Sequence, residues 1–485
     1  MEQNDNKHNK EKERINRLVA KFEANLTDDG KVNTWFDSED IEDICNHYLD
    51  KGKMKLAERA VAVGMSLHPK DETMQLLHAH VLIEEYKPQE ALELLDSMHL
   101  TDDFYHSYLR LGALADLGRW QDAVAAADNA MKQDSDVLAA AMDVAHVFYD
   151  RGQTDTALLY LLRAEKEVPD DKELTELILQ CYADLGQTDT ALTYVDKLID
   201  ADPYNIDAWQ TKAALHVDKE AYQQALEDFE YAIAINPESE TTLISKAKLL
   251  MLMNRLDDAL AVIDEIEGIS NMWHGVCMML RGDVQFMIGD MHKAHTYYYK
   301  GFSRKMCLYD STMRYMECKM RLAKWDGAVS IGNHLLNMTP DDKKLLEMLS
   351  DAYFEIKRYD MSARMLRRCL RLEPDNVYML LRYGTLMLDM QDTKKAYTAI
   401  HRAYRISPEI SYTNLLMAVV CYVKSEYKRM YHYYRNACKA DPASKKTFIS
   451  ICPDVEQYIE SLDALTKKCE EKGITNIDKI LFKKK

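Results

Sequence analysis

Apolar residues recur along this chain at spacings of three and four, in stretches of about a dozen residues, separated by short polar turns. In one such stretch Ala208-Trp209 opens a run through Ala213 to His216, and a turn follows near Lys219-Glu220. A second run then carries Tyr222, Ala225, Phe229 and Ala232 to a stop at Pro237. This spacing predicts two helices, each with one apolar stripe, that bury their stripes only against each other and against neighbours. The heptapeptide GQTDTAL stands at 152–158 and again at 186–192, so the unit repeats. Its alanine belongs to a longer phase: Ala57, Ala91, Ala123, Ala157, Ala191, Ala225, Ala259, Ala294, Ala328, Ser362, Ala396 and Met430. The steps of this phase mostly equal the interval between the two heptapeptides. Eight of the ten prolines (Pro69, Pro169, Pro203, Pro237, Pro340, Pro374, Pro408 and Pro442) fall twelve residues after that phase.

Each part of the unit has a steric reason. The small residue lets the two helices approach closely, and enlarging it should cost about 1–3 kcal/mol. Gly52, Gly118, Gly152, Gly186 and Gly289, with Asn254 as a substitute, sit where the first helix needs a left-handed cap. Proline ends the second helix, and the Asp or Asn that follows in PDD and PDN can cap the next one. Two units look irregular: Pro88 falls inside the turn of the second, and the units near 240–308 lack the closing proline.

These features resemble the tetratricopeptide repeat of bacterial-type cytoplasmic arrays, a 34-residue pattern of Trp, a Leu-Gly-like pair, Tyr, Ala, an aromatic and Pro. Trp209, Ala213, Ala225, Phe229 and Pro237 match it, as do Gly384, Ala396, Ala403 and Pro408. The resemblance covers roughly 38–444. It implies an all-α fold, an α-solenoid wound as a right-handed superhelix of about twelve tandem helix-turn-helix repeats with terminal capping helices. The expected organisation is a polar N-terminal arm and capping helix (1–37, helix over 11–26), acidic units 1–6 (38–239) and Met-rich, mildly basic units 7–12 (240–444). A C-terminal capping helix over Pro453–Glu471 and a Lys-rich tail complete it (445–485).

Composition sharpens this reading. Net charge is −18, but residues 1–240 carry −27 and residues 241–485 carry +9, while methionine divides 7 to 20. So uneven a charge concerns partners more than fold. The polar start MEQNDNKHNKEKER is no secretory signal, and the longest apolar run, Leu415 to Val423, is too short to span a bilayer. The ten cysteines contain no CxxC pair, which suits thiols in a reducing cytoplasm. No phosphate-binding, dinucleotide-binding, HExxH or GxSxG motif is present, so the chain reads as a non-enzyme with no cofactor and no metal. The pairs His78/His80 and His292/His295 lack further ligands at zinc spacing and read as ordinary side chains.

The resemblance implies that first helices line a concave binding surface. In three consecutive units the groove stripe reads Ile244, Lys248, Met251, then Met279, Asp283, Phe286, then Met313, Glu317, Met320, with Leu252, Met287 and Arg321 following each. This apolar, thioether-rich patch can seat a peptide or helix, or can simply fill the space between helices. In the first six units an acidic residue ends the first helix every time: Asp50, Glu84, Asp116, Asp150, Asp184 and Asp218. A carboxylate there opposes the helix macrodipole. The ladder therefore either caps the next helix's first amides or attracts a basic segment. Arg364, Arg367, Arg368 and Arg371 fall on a second helix and read as a solvated outer face. Tyrosines, as in TYYYK and MYHYYR, read as packing between helices. The Lys and Asn clamp with which some members of the family grip chaperone tails is missing: the corresponding positions hold Glu42 and Asn46, Leu76 and His80, and Glu347 and Asp351.

The leading expectation is a protein-interaction scaffold that binds a peptide or protein segment, one carrying basic residues toward the acidic half. A self-assembling protein stacking acidic front on basic rear is the second reading. An RNA-binding repeat comes last, since the acidic half repels nucleic acid.

Overall fold

In the computed structural model, residues 2–27, 32–98, 100, 103–269, 271–304 and 308–471 are described. The Lys-rich tail expected after residue 471 and Cys307 lie outside them. Among the described residues the chain forms 27 α-helices, two 3-10 turns and no strand. It divides into two compact units, residues 1–242 and 243–485.

The first unit opens with α1 (Glu2–Asn25). Six helix pairs follow: α2 (Ser38–Asp50) with α3 (Met54–Leu67), α4 (Glu72–Glu84) with α5 (Pro88–Met98), α6 (Phe104–Asp116) with α7 (Trp120–Gln133). The series continues with α8 (Val137–Tyr149) and α9 (Thr154–Glu165), α10 (Lys172–Asp184) and α11 (Thr188–Ala201), α12 (Ile206–Asp218) and α13 (Tyr222–Ile235). Helix α14 (Glu240–Leu252) begins at the division and pairs with α15 (Leu256–Ile269). The second unit then holds α16 (His274–Ile288) with α17 (Met291–Ser303), α18 (Tyr309–Arg321) with α19 (Trp325–Met338), and α20 (Lys343–Glu355) with α21 (Tyr359–Leu372). After α22 (Val377–Asp389) with α23 (Thr393–Ile406) and α24 (Ser411–Val423) with α25 (Tyr427–Ala440) come α26 (Ser444–Ile451) and α27 (Glu456–Glu471).

The twelve pairs are the twelve expected repeats. Their phase residues, Ala57 through Ala396, are fully buried, as is Met430, and Ser362 is 1% exposed. The capping prediction also meets its geometry: Asp171 accepts from the Leu174 amide at 2.8 Å, Asp342 from Leu345 at 2.7 Å and Asn376 from Met379 at 3.1 Å.

The turn within every pair contains one residue at positive φ, and only five of the twelve are glycine. At Gly118 (φ 70°) the Arg119 amide returns to Leu114 O at 2.9 Å, closing the left-handed cap. Tyr86, Glu220, Asn254, Ala323, Lys357, Gln391 and Ser425 adopt the same conformation at φ between 54° and 61°. Each of them bears roughly 1–2 kcal/mol of steric cost that the packed repeat must offset. Pro88 does not disturb its turn. It is the first residue of α5, where a proline has no amide to lose, and Tyr86 makes the turn instead.

The ends differ from expectation in extent. Helix α1 reaches back to Glu2, and Val19 and Phe22 on it close the first core against Phe36 and Tyr48. The C-terminal cap is a short helix, α26, then a 3-10 turn at Pro453–Val455, then α27. Phe448, Ile459 and Leu462 cover Tyr434 of the last repeat.

Candidate functional site

First helices of consecutive repeats pack side by side within the second unit, α16 against α18 and α22 against α24. Two clefts open on this row. The first, about 310 Å3, lies among α14, α16 and α18, with Lys248, Met251, Leu252, Asp283, Met287 and Arg314 in its wall. Asp283 and Met287 are one helical turn apart and so share a stripe.

Only part of the sequence-predicted stripe is surface. Lys248 is exposed, Leu252 is 60% exposed and Met287 is 44% exposed. Ile244, Met251, Met279 and Met313 are buried, Met279 completely, so Met279 and Met313 are interior side chains and not ligand anchors. Successive residues on a helix are rotated by about 100°, and a stripe displaced by a single position points between helices instead of outward. Met279 fills the space left by Gly301, where an added Cβ would stand 2.7 Å from its sulfur. Phe286 and Met320 are half-buried. The Arg321 guanidinium lies 4.9 Å from the Phe286 ring centroid and also pairs with Glu317 at 2.6 Å.

At the floor of this cleft Asp283 is 2% exposed and accepts from Tyr298 Oη at 2.8 Å and Ser311 Oγ at 2.6 Å. The Arg314 guanidinium stands 3.1 Å away. A buried carboxylate requires such partners. The buried Tyr298 hydroxyl, beside a carboxylate, is held well above its ordinary pKa by desolvation and then by Asp283.

The second cleft, about 360 Å3, lies among α20, α22 and α24. Its wall contains Asp351, Phe354, Thr385, Asp389 and Tyr412, which occupy the repeat positions of Lys248, Met251, Asp283, Met287 and Asp310 in the first cleft, three repeats on. The chemistry differs: Phe354 is 40% exposed, Tyr378 62% and Tyr412 47%, so three aromatics from three helices surround one opening. Between them Arg382 pairs with Asp351 and lies 5.5 Å from the Tyr378 ring centroid. Burial pulls the Arg382 guanidinium below its ordinary pKa, against the opposing charge of Glu347, so it is a cation short of solvation. Of this group the sequence had brought forward only Asp351, as part of a missing clamp. Tyr378 and Tyr412 stand at one repeat position in consecutive units, a signal that was available.

The six carboxylates of the acidic ladder all end up exposed at the ends of first helices in the first unit. No backbone amide among the described residues donates to any of them. Asp116 accepts from Arg151 Nε at 2.6 Å, and Asp184 from the Tyr149 hydroxyl and from Gln180 Nε2 at 3.0 Å. Asp50, Glu84, Asp150 and Asp218 have no hydrogen bond or ion pair among the described residues. His80 Nδ1 lies 2.9 Å from Tyr105 Oη, and His295 Nε2 lies 3.2 Å from Lys324 Nζ.

Comparison with known families agrees with this geometry. Tetratricopeptide repeat models match residues 108–172, 142–206 and 344–376. The chain is a tetratricopeptide-repeat protein. A model of the anaphase-promoting complex, cyclosome, subunit 3 also matches residues 184–266. No curated protein matches the sequence. Solved structures match at low identity. The anaphase-promoting hetero-tetramer Cut9-Hcn1 is 16% identical over 84% of this chain and 88% of that one, with TM-score 0.34. YrrB, a tetratricopeptide-repeat protein with an unusual peptide-binding site, is 17% identical over 41% and 97%, with TM-score 0.35. The C-terminal part of a repeat protein from Cytophaga hutchinsonii is 17% identical over 48% and 96%, with TM-score 0.40.

Proposed function

We propose that this tetratricopeptide-repeat protein is a non-catalytic scaffold that captures a polypeptide segment along the first-helix row of its second unit. The two clefts receive anchoring side chains, and the one at Phe354, Tyr378 and Tyr412 dominates. The carrying observation is that exposed aromatic triad around Arg382. Tyr and Arg beside a partly desolvated opening are the side chains that concentrate binding energy at protein interfaces, and a volume near 360 Å3 suits one or two anchoring groups. The fitting ligand is an extended or helical segment with an aromatic or aliphatic anchor next to a carboxylate, which Arg382 can share with Asp351. The acidic first unit favours further basic residues elsewhere on that partner and speeds their encounter.

A cytoplasmic location suits the thiols. Of the nine described cysteines all are free and eight are buried, which fits a reducing compartment. Among the described residues no helix is long and apolar enough to cross a membrane.

The test is peptide display against the full-length chain, followed by titration of the selected peptides. The Tyr378→Ala, Tyr412→Ala variant should lose roughly 30-fold in affinity, the loss expected when a hot spot of about 2 kcal/mol is truncated, with unchanged far-UV circular dichroism. Peptides that bind wild type and variant equally would place the site elsewhere.

A further inference from the structure

A second surface remains after the clefts are accounted for. The second helices α21, α23 and α25 of three consecutive repeats carry twelve Lys and Arg against one acidic residue, Asp360. Arg368, Lys395, Arg402 and Arg429 reach carboxylates. Arg364, Arg367, Arg371, Lys394, Arg405, Lys428 and Lys439 are exposed and form no ion pair among the described residues. Helix electrostatics accounts for Arg371, Arg405 and Lys439, which sit in last turns where the macrodipole favours a cation. It does not account for Lys394 and Lys428, the second residues of their helices, where the dipole opposes one. Like charges repeated at one position in successive units repel each other, so each row gains from an anion.

The cations are in register. Arg371, Arg405 and Lys439 occupy one repeat position in three consecutive units, and Lys394 and Lys428 another in two. The same repeat geometry produces an anionic row in the first unit, where Asp50, Glu84, Asp150 and Asp218 are exposed and unpaired on a ladder with one carboxylate per repeat. Rows of opposite charge built on one repeat have the same pitch, so they can align charge for charge over several repeats. A nucleic acid is disfavoured by the chain's net charge of −18. Within a helix hairpin the first helix ends at one edge of the stack and the second helix at the other, so both rows run along accessible edges.

We propose that the basic edge of the second unit docks the acidic ladder of a second copy of this chain. Each copy keeps one surface of each sign, so the contact is head to tail and propagates unless a ring closes. This surface is separate from the clefts, and neither reading depends on the other.

The experiment is light scattering on the full chain at about 20 mM and about 0.5 M salt, where the screening length changes several-fold. Wild type should exceed twice the 56.1 kDa monomer mass at low salt and return to monomer at high salt. Arg371→Glu, Arg405→Glu, Lys439→Glu should be monomeric throughout, and so should Asp50→Lys, Glu84→Lys, Asp150→Lys, Asp218→Lys. Mixing the two variants restores opposite charge at both edges and should restore association, which also shows that both are folded. A wild type that stays monomeric at low salt overturns the proposal, as does a basic-edge variant that still associates or a mixture that does not. A monomer that binds a single-stranded RNA probe through Arg371, Arg405 and Lys439 assigns the surface to nucleic acid instead.

Discussion

Gly282 lies on α16, one residue before the buried Asp283, and the Tyr298 ring of α17 is pressed onto it. An alanine Cβ there would stand 2.5 Å from Tyr298 Cδ1, 2.6 Å from Cε1 and 3.0 Å from Cγ. Carbon atoms rest at about 3.5–4.0 Å, so the ring must retreat by roughly 1 Å. It has little freedom to do so, because it is fully buried and its hydroxyl holds Asp283 at 2.8 Å. Overpacking costs about 1–3 kcal/mol and straining a buried hydrogen bond about 1 more. Better helix propensity returns about 0.5–1. The net expectation for Gly282→Ala is a loss of about 2 kcal/mol, read as roughly 30-fold faster native-state hydrogen exchange in α16 and α17. Gly112 on α6 supplies the control. There an added Cβ would find only Ile83 Cδ1, at 4.0 Å, so the same substitution should slow exchange and gain about 0.5–1 kcal/mol. Equal signs for the two substitutions would refute the packing argument, because their chemistry is identical and only the neighbours differ.

Two further outcomes follow from burial. Met279→Glu places a carboxylate where Met279 is 0% exposed and should destabilise the second unit by about 3–5 kcal/mol in denaturant titration. Met287→Glu, at the cleft mouth and 44% exposed, should stay within about 0.5 kcal/mol of wild type. In the first unit, burial lowers the pKa of His80, against the opposing charge of Glu84, and lowers that of His78, against Glu85 and Glu90. A lowered pKa means that the unfolded chain takes up the proton first, so stability is complete above the ordinary value near 6.5 and falls as pH drops below it. Thermal melts between about pH 7.5 and pH 5.5 should show that decline, and His80→Gln should reduce it; a flat profile would mean the buried imidazoles do not resist protonation.

The repeats were legible because their signals are steric and absolute. A fully buried small residue, a proline that ends a helix and an Asp that caps one each tolerate few substitutes, so Ala157, Pro169 and Asp171 announce themselves. The left-handed turns were only half legible. Gly118 is visible in sequence, whereas Tyr86, Glu220 and Lys357 adopt the same φ with no glycine to mark it. There the packing of the repeat decides the backbone and local preference yields.

The binding face was harder to read for a geometric reason. On a first helix the positions that pack against neighbouring helices and those that face outward both recur at three and four, so buried Met251 and exposed Leu252 belong to equally periodic series. Periodicity shows that a stripe exists without saying which of two adjacent stripes is wet. What separates them is change between repeats. A packing position is confined in volume, and Ala57 through Ala396 are small for that reason, with Met430 the exception in the last repeat. An outward position is free to vary, as Lys248 gives way to Asp351 and Asp310 to Tyr412 at matched places in the two clefts. The repeat's fold is therefore written in what recurs from unit to unit, and its specificity in what does not. By that rule Tyr378 and Tyr412, alike in two neighbouring repeats and replaced by Lys344 and Asp310 in the two before them, mark a patch confined to the last repeats. A ligand selected by this chain should accordingly protect α22 and α24 from hydrogen exchange more than α16 and α18. Protection centred on α16 and α18 would move the dominant seat to the cleft at Asp283.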